Sequence, residues 1–513
     1  MRKRAGWSAL AAAAVAAVAV LPAIVGPSAA AVKQPVRKTG KRAAAAQPVT
    51  PVNVLKRWAA TNGGGPDAQT PTLAQALAAA TDYDLILATK NSYPPYVAQM
   101  RAANPDLKIV AYLNGTYAQS DQGSAYPDAW YAKAADGSKV RSKKFGNYLM
   151  DPTSSGWIQN RIQTCNQYAT SAGYDGCYLD MLGNATMGAG YDTAAPINPA
   201  TGKAWTKPQW IAATSQLGTT VVTALPTFLV VGNGIANGNQ YFDPSSGPTS
   251  NLLTGLAGAN AQGFIRSETD ALTAFRSVKA WKNDVDMLAN AGTKGRFVMA
   301  MTKVDKAGTA AQLQQVHRYA LASFLLGTNG TQYFYFSPNG NDDGVNAPDT
   351  PDDHVNPGTP LSGYTALPNG AYVRRFSAGF AAVNPGTTAV TVPLGGTYVD
   401  LDGNTVQQVT LAPHTGMVFT TSTSTTSTST TSTSTTTPLT TTTTRRRRTT
   451  TTTATTACVP RRGTTTSTTV AAHTASLTAG RQHGAPGQSG APGAPGTPGK
   501  PPGATRCTPR PSP

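Results

Sequence analysis

The sequence has few cysteines and histidines, which often build metal sites, and it lacks a serine nucleophile motif. It contains four cysteines and five histidines, and neither type shows the CxxC or paired Cys/His spacing of a zinc site. A segment that starts at Asn339 resembles the first half of a calcium loop, but its twelfth position is Thr350 instead of glutamate. No Gly-x-Ser-x-Gly motif is present, so serine hydrolase chemistry has no support. We therefore expect no bound metal and no cofactor.

Acidic residues are absent from both ends of the chain. Residues 1–50 contain eight Lys/Arg and no Asp/Glu, and residues 420–513 contain ten Lys/Arg and no Asp/Glu. The net charge of +18 belongs to these ends, because residues 51–419 hold 24 basic and 24 acidic side chains. The balanced middle argues against a nucleic-acid partner, whereas the basic tail favours association with an anionic cell wall or membrane surface. We expect a monomer.

Long apolar runs are absent except near the N-terminus. Residues 2–4 are basic, residues 9–25 are apolar and residues 27–31 are small, which together predict a signal peptide over residues 1–31. An uncleaved membrane anchor is the alternative, because the apolar run approaches the ~18 residues that a membrane span needs. Residues 32–50 are rich in Lys, Arg, Ala and Pro and predict a flexible leader. The sequence thus predicts a secreted protein.

Residues 51–360 alternate between strand-like and helix-like segments. Eight short segments rich in Val, Ile, Leu, Tyr or Phe are predicted strands, at 52–58, 84–88, 108–113, 176–180, 227–232, 261–266, 296–302 and 331–336. Strands that alternate with helices pair in parallel, and eight of them close a (β/α)8 TIM barrel, an α/β fold. An open doubly wound sheet is the alternative, but no GxGxxG motif follows the first strand.

The sequence pattern changes after residue 360. Short alternating runs between turn residues predict a small antiparallel β-sandwich over residues 361–421. Residues 422–513 are first Thr/Ser-rich and then Pro/Gly-rich, with glycine at every third position from Gly484 to Gly499. This composition cannot bury enough apolar surface to fold, so we predict a disordered tail with a collagen-like end.

Two acidic side chains follow predicted strands, at the end of a parallel barrel where active sites lie. Asp180 ends the apolar strand within residues 173–183, and Glu268 lies just beyond the sixth strand. Glycosidic bonds are usually cleaved by two carboxylates: one protonates the leaving oxygen, and the other attacks the anomeric carbon or activates water. The two acids are therefore the predicted catalytic pair. Alternatively, Asp180 caps a helix or pairs with a lysine, and Glu268 is structural.

Other polar or aromatic side chains recur near the same strand ends. Those predicted to bind substrate are Trp58, Lys90, Tyr112, Asn114, Asn233 and Ser337. Each of them alone is more often structural, but their recurrence at one end of successive strands favours a sugar-binding site. Asp151, in the long loop after the third strand, either lines the same cleft or ends a turn.

The four cysteines fall into two local pairs, Cys165 with Cys177 and Cys458 with Cys507. An even number of cysteines in an exported protein indicates disulfides. Cys165 lies late in a predicted helix and Cys177 lies in the next strand, so we predict a disulfide between them behind Asp180. Two buried free thiols are the alternative.

Residues 50–420 resemble hypothetical glycosyl hydrolase family fifteen, whose members combine a TIM barrel with a small C-terminal β-domain. The resemblance rests on the segments GYDGCYLD at 173–180, YLMDP at 148–152, GFIRSE at 263–268 and YVRRF at 372–376, with Gly379, Val383 and Asn384-Pro385. It implies that Asp180 is the nucleophile and Glu268 the acid/base, and it identifies no particular sugar. The tail lies outside the resemblance.

These observations lead to one expected function and two alternatives. We expect a secreted glycoside hydrolase that cleaves an extracellular polysaccharide or oligosaccharide with a pair of carboxylates. The first alternative is a catalytically inactive barrel that binds cell-surface glycan. The second is a barrel enzyme of another class, such as an amidase.

Overall fold

The computed structural model describes residues 53–61, 71–183, 190–245, 247–338 and 350–421. The predicted signal peptide, leader and tail lie outside the described residues, as do Cys458, Cys507 and most of the segment that resembles a calcium loop. Within the described ranges, no helix is both long and apolar enough to cross a membrane.

Eight parallel strands form a closed barrel. Each strand pairs with the next strand along the chain, and the first strand also pairs with the eighth. The strands are β1 Lys56–Thr61, β2 Leu85–Ala88, β3 Lys108–Asn114, β4 Gly176–Asp180, β5 Leu229–Asn233, β6 Gly258–Ala261, β7 Phe297–Lys303 and β8 Tyr333–Ser337. The parallel pairing requires a crossover after every strand, and it confirms the predicted TIM barrel.

Helices form most of these crossovers. The α-helices of the described ranges are α1 Leu73–Asp82, α2 Val97–Ala103, α3 Ser155–Ala172, α4 Lys207–Ala224, α5 Gly238–Phe242, α6 Val278–Thr293 and α7 Ala310–Gly327. Thr72, Thr206 and Thr309 each precede a helix, and each side chain accepts a hydrogen bond from the backbone of a glutamine three residues later. These capping boxes satisfy N–H groups that the first helical turn leaves unpaired, so the sequence itself marks where α1, α4 and α7 begin.

The sixth strand does not lie where its apolar residues suggested. The prediction of 261–266 is wrong, because β6 is Gly258–Ala261 and contains no β-branched or large apolar residue. Phe264 and Ile265 are buried in the loop that follows, where Phe264 packs against Phe324 of α7. The backbone N–H of Ile265 donates to the buried Asp284 of α6. The apolar residues that resembled a strand therefore belong to a buried loop.

The first strand also begins later than predicted. Residues 52–58 were expected, but β1 runs from Lys56 to Thr61. Val54 and Leu55, whose apolar character suggested the earlier start, instead belong to the apolar cluster around α6 and α7. This shift moves Trp58 from the end of the strand to its middle.

A six-stranded antiparallel sheet follows the barrel. Its strands are β9 Thr365–Ala366, β10 Tyr372–Phe376, β11 Gly379–Asn384, β12 Val390–Asp400, β13 Thr405–Leu411 and β14 Thr415–Thr420, in the order β9-β10-β11-β14-β12-β13. The long strand β12 pairs with both β13 and β14, and its register shifts between Pro393 and Tyr398. The expected antiparallel β-domain is therefore present, as one sheet that curls into a half-barrel.

The curled sheet has buried residues on both faces, although much of β12 and β13 is exposed. Ala381, Val383 and Val418 belong to the apolar cluster that includes Tyr319 and Ala322 of α7. A second cluster lies within the sheet itself and contains Phe380, Val392, Leu394, Leu411 and Phe419. So small a sheet has a thin core of its own, and the helix of the barrel covers its other face.

Candidate active site

The disulfide between Cys165 of α3 and Cys177 of β4 establishes which way the side chains of β4 point. The bond is present, as predicted, and it directs Cys177 outwards to the helix layer. Alternate side chains of a strand point to opposite faces. Tyr178 and Asp180 therefore point into the barrel, and Asp180, the last residue of β4, lies at the mouth formed by the strand C-termini.

Three donors surround the carboxylate of Asp180. The Tyr112 hydroxyl on β3 donates to Oδ2 at 2.7 Å, and the Asn233 side-chain amide on β5 donates to Oδ1 at 2.8 Å. The backbone N–H of Met181 also donates to Oδ1 at 2.8 Å. Only 4% of Asp180 is exposed. Both neighbouring strands therefore hold the carboxylate in one orientation.

The backbone turns sharply directly after Asp180. Met181 has a φ of 63°, which is rare for a residue with a side chain and is found most often at functional sites. On β3's side, the N–H of Gly115 donates to the carbonyl oxygen of Asp180 at 2.8 Å. A Cβ on Gly115 would lie only 2.8 Å from that same oxygen. Glycine is therefore required where the loop after β3 approaches the end of β4.

The charge of Asp180 acts on two tyrosine hydroxyls. Burial, and then the charge of Asp180, raise the pKa of Tyr112 well above its usual value. Burial also raises the pKa of Tyr191 to about 12, and the charge of Asp180 contributes in the same direction. Both hydroxyls keep their protons at any ordinary working pH. Tyr191 was not predicted as a site residue, because no local motif marks it and only the pairing of two loops brings it within reach of the charge of Asp180.

Glu268 lies in the loop after β6 and reaches the end of β7. Its Oε2 forms an ion pair of 2.9 Å with Nζ of Lys303, the last residue of β7, of which 3% is exposed. The carbonyl oxygen of Glu268 accepts a hydrogen bond of 3.0 Å from the N–H of Asp305. Because β6 ends at Ala261, Glu268 follows it by a longer loop than predicted, and Lys303 fixes the position of its side chain.

A short segment of the loop after β3 pairs with the loop after β4. The N–H of Lys143 donates to the carbonyl oxygen of Tyr191 at 2.9 Å, and Tyr191 lies close enough to Asp180 to sense its charge. Burial lowers the pKa of the next residue, Lys144, and the charge of Glu268 acts on it in the opposite direction. Electrostatic interactions thus connect Glu268 with Lys144 of the loop after β3, and Asp180 with Tyr191 of the loop after β4.

Three of the predicted binding residues end their strands, as expected. Asn114 ends β3 beside Asp180 in the register of the sheet, Asn233 ends β5 and Ser337 ends β8 beside Lys303. Asn114 Oδ1 accepts hydrogen bonds from the N–H groups of Thr116 and Tyr117, so it also shapes the loop after β3. Tyr112, Asn114 and Asn233 thus lie next to Asp180, and Ser337 lies beside Lys303, the ion-pair partner of Glu268.

Three other predicted residues lie elsewhere. The placement of Trp58 at a strand end is wrong, because Trp58 lies in the middle of β1. Its side chain is completely buried against Tyr335, and its indole N–H donates to the carbonyl oxygen of Ala300. Lys90 is exposed, and its ammonium lies 4.7 Å from the ring centre of Tyr168 on α3. Asp151 is buried and forms a turn, because its Oδ1 accepts hydrogen bonds from the N–H and hydroxyl groups of Thr153.

Acidic and histidine side chains of the described residues are not grouped for metal binding. No cluster of three or more His, Cys, Asp or Glu residues that could hold an ion occurs in the part of the chain that the structure describes. The polar groups described above are the carboxylates of Asp180 and Glu268, the amide of Asn233, the tyrosine hydroxyls and the ammonium of Lys303.

Several solved structures are similar to this one. The glycoside hydrolase domain of PelA from Pseudomonas aeruginosa matches 56% of this chain and 96% of that chain, at 15% identity and a TM-score of 0.35. A maltogenic alpha-amylase, AmyB from Thermotoga neapolitana, matches 72% of this chain and 96% of that chain, at 9% identity and a TM-score of 0.43. An alpha-amylase from Malbranchea cinnamomea matches with the same coverage and identity, at a TM-score of 0.44.

The sequence matches one protein family over more than half of its length. No curated protein matches it. The family described as hypothetical glycosyl hydrolase family 15 matches residues 101–380, which is more than half of the chain and includes Asp180 and Glu268. The chain therefore belongs to hypothetical glycosyl hydrolase family 15.

Proposed function

We propose that this glycosyl hydrolase is exported and cleaves glycosidic bonds of an extracellular polysaccharide, with Asp180 and Glu268 as its pair of carboxylates. The observation that carries the proposal is the environment of Asp180. A carboxylate at the C-terminal end of a barrel strand, held by Tyr112 and Asn233 from both neighbouring strands, is oriented as a reacting group has to be. A carboxylate whose only task was to cap a helix would not need donors from two strands.

The proposed reaction has two steps. In the first, Asp180 attacks the anomeric carbon while the bond from that carbon to the leaving oxygen breaks, and Glu268 gives its proton to that oxygen. In the second, Glu268 takes a proton from water, whose oxygen displaces Asp180 from the anomeric carbon. Tyr112 and Asn233 orient Asp180 in both steps. Asn114 and Ser337, which end neighbouring strands, are placed to hold hydroxyl groups of the sugar.

Two observations support export. Residues 1–31 have the charge and hydropathy pattern of a signal peptide. The disulfide between Cys165 and Cys177 would persist in an oxidising compartment outside the cytoplasm. Expression of the full chain, followed by N-terminal sequencing of the protein in the medium, tests this part of the proposal. Export would be contradicted by a full-length chain that stays in the cell with its first residues intact.

The ion pair between Lys303 and Glu268 favours a second function. An ammonium 2.9 Å from a carboxylate favours its charged form, whereas the first step needs Glu268 to give up a proton. If substrate does not displace Lys303, the barrel would bind glycan without cleaving it. The basic tail would then hold such a binder at an anionic cell surface.

Hydrolysis of a panel of polysaccharides, scored by released reducing ends, decides between the two functions. We expect the full chain to cleave at least one glycan and Asp180→Asn to lose activity by roughly three orders of magnitude or more. Asp175→Asn is the matched control, because Asp175 precedes the same strand at the other end of the barrel and binds the N–H of Ile109. Binding without release by the wild type would support the second function, and full activity of Asp180→Asn would remove Asp180 from the mechanism.

The anomeric configuration of the first product tests the role of Asp180. If Asp180 is the nucleophile, NMR of fresh product shows the configuration of the substrate retained. Inversion would make Asp180 the base that activates water.

A further inference from the structure

Two loops pair with each other beside Asp180. The N–H of Lys143 donates to the carbonyl oxygen of Tyr191 at 2.9 Å, and the N–H of Thr193 donates to the carbonyl oxygen of Arg141 at 2.8 Å. We call residues 141–143 and 191–193 the mouth ladder. Because successive side chains of a ladder point to opposite sides, Tyr191 and Asp192 have different surroundings.

Asp192 is a buried carboxyl group that the proposed reaction does not use. It has no exposed surface, and its Oδ1 accepts a hydrogen bond of 2.6 Å from the Tyr117 hydroxyl. Its Oδ2 is buried and has no hydrogen-bond partner among the described residues. Tyr117 itself belongs to an apolar cluster with Trp205 and Trp210. Burial of a carboxyl with one unpaired oxygen costs free energy, which other contacts of the fold have to offset.

Tyr117 connects this carboxyl to the candidate active site. Its hydroxyl binds Asp192, and the edge of its ring contacts the ring of Tyr191, with 6.3 Å between ring centres. The Tyr191 side chain hydrogen-bonds with Ser142 and interacts with the charge of Asp180. Tyr191 and Met181, the residue after Asp180, pack against the apolar cluster that contains Tyr117. Movement of Tyr117 would therefore displace Tyr191 from its place beside Asp180.

We propose that Asp192 is a positioning residue, whose hydrogen bond with Tyr117 holds the mouth ladder closed and keeps Tyr191 beside Asp180. The inference rests on the proposed function only in that Asp180 is taken as catalytic. The closed ladder itself is a property of the fold and can be measured without substrate.

The buried position also makes the ladder sensitive to pH. Burial raises the pKa of Asp192 from 3.8 to about 7, against the opposing effects of the Tyr117 hydroxyl and the charge of Lys143. Tyr191 is the other titratable neighbour, and it stays protonated over this range. When the ladder opens, Asp192 meets water and loses its proton near 3.8. Between 3.8 and about 7 the closed form holds one more proton than the open form, so the stability of the ladder falls as pH rises through this window.

Hydrogen exchange at the ladder amides tests the structural half of the proposal. In the wild type we expect protection of the Lys143 and Thr193 amides to decrease as pH rises towards 7. Asp192→Asn can still accept the hydrogen bond from Tyr117 and cannot ionise, so its protection should stay high and independent of pH. Tyr117→Phe and Asp192→Leu break the bond and should lower protection at every pH. Protection that does not depend on pH in the wild type would overturn the proposal.

Kinetics on the active glycan test the positioning half. We expect Asp192→Leu and Tyr117→Phe to lower kcat by roughly 10- to 100-fold with little change in KM, because a small displacement near a reacting group has effects of this size. Asp192→Asn should restore kcat, which a general loss of packing would not predict. Asp136→Asn, an exposed acid of the same loop, is the control. Unchanged kcat in both disruptive variants, or no rescue by asparagine, would overturn the proposal.

The two proposals fail in distinguishable ways. If Asp180→Asn stays fully active, the proposed catalytic role fails while the exchange measurements still decide whether Asp192 holds the ladder. Suppose that the wild type cleaves glycan and Asp180→Asn does not, but hydrogen exchange of the ladder amides is the same in the Asp192 variants as in the wild type. Then only the inference on Asp192 is wrong.

Discussion

The hydroxyl of Tyr112 on β3 donates a hydrogen bond of 2.7 Å to Oδ2 of Asp180 on the neighbouring strand β4. The two residues are 68 positions apart in the chain, and the parallel pairing of their strands brings them together. Because burial and the charge of Asp180 keep Tyr112 protonated, this donor is available at every working pH.

Removal of this hydroxyl should affect catalysis more than binding. Hydrogen bonds to charged groups contribute about 1.5–3 kcal/mol, so we expect Tyr112→Phe to lower kcat by roughly 10- to 100-fold with a small change in KM. Tyr241→Phe is the control, because the buried Tyr241 hydroxyl donates to Asn290 in the helix layer. Equal kcat losses in both variants would mean that the effect is one of packing and not of Asp180.

The disulfide should contribute to stability and not to chemistry. It joins α3 to β4 with a sequence separation of 12. A disulfide that closes a loop of this size raises the free energy of unfolding by about 3 kcal/mol. We expect Cys165→Ala/Cys177→Ala to lower the free energy of unfolding in urea by about that amount. Activity at low temperature should persist, because Cys177 points to the helix layer and Asp180 into the barrel. A large loss of kcat in a variant that is still folded would contradict this separation.

The ion pair between Lys303 and Glu268 should show strong coupling. Both side chains are largely buried, with relative exposures of 3% and 11%. Lys303→Met leaves the carboxylate without its cation, which should cost roughly 3 kcal/mol of unfolding free energy. Addition of Glu268→Gln to the same chain should recover part of that loss. A double-mutant cycle measured by urea unfolding gives the coupling energy, and additive effects would show that the pair is not formed in solution.

Arg374 of β10 should hold the β-domain on the barrel. Its Nη1 donates to the carbonyl oxygens of Leu325 and Leu326, at 2.9 Å each, and to that of Thr328. These carbonyls lie at the C-terminal end of α7, where they have no partner within the helix. Burial lowers the pKa of Arg374 to about 10, so it is still charged at neutral pH.

We therefore expect Arg374→Met to lower the free energy of unfolding by about 2–3 kcal/mol, because buried carbonyls lose their donor. Arg375→Met is the matched control: the neighbouring residue is exposed on the other face of the strand and contacts Leu394 and Tyr398. Thermal unfolding followed by circular dichroism compares the two. The proposed anchor would be wrong if both variants lost the same stability.

Local patterns were sufficient where neighbouring residues determine the structure. The apolar strand that ends at Asp180 and the separation of 12 residues between Cys165 and Cys177 are local signals, and the structure confirmed the strand and the disulfide that they predicted. The alternation of strands and helices then leaves few possible topologies, and the barrel was predicted from it. The bounds of β6 were predicted wrongly, because β6 is built from small residues and the loop after it contains buried apolar side chains.

The sequence by itself determined the class of barrel, the presence of a following β-domain and the acid at the end of β4, because periodicity and strand ends are local properties. Only the tertiary structure decided which side chains surround that acid. The pairing of β3, β4 and β5 brought Tyr112 and Asn233 to Asp180, and the pairing of two loops placed Tyr191 where the charge of Asp180 acts on it. Contacts of this kind depend on how distant segments pack, so the type of a residue does not predict them.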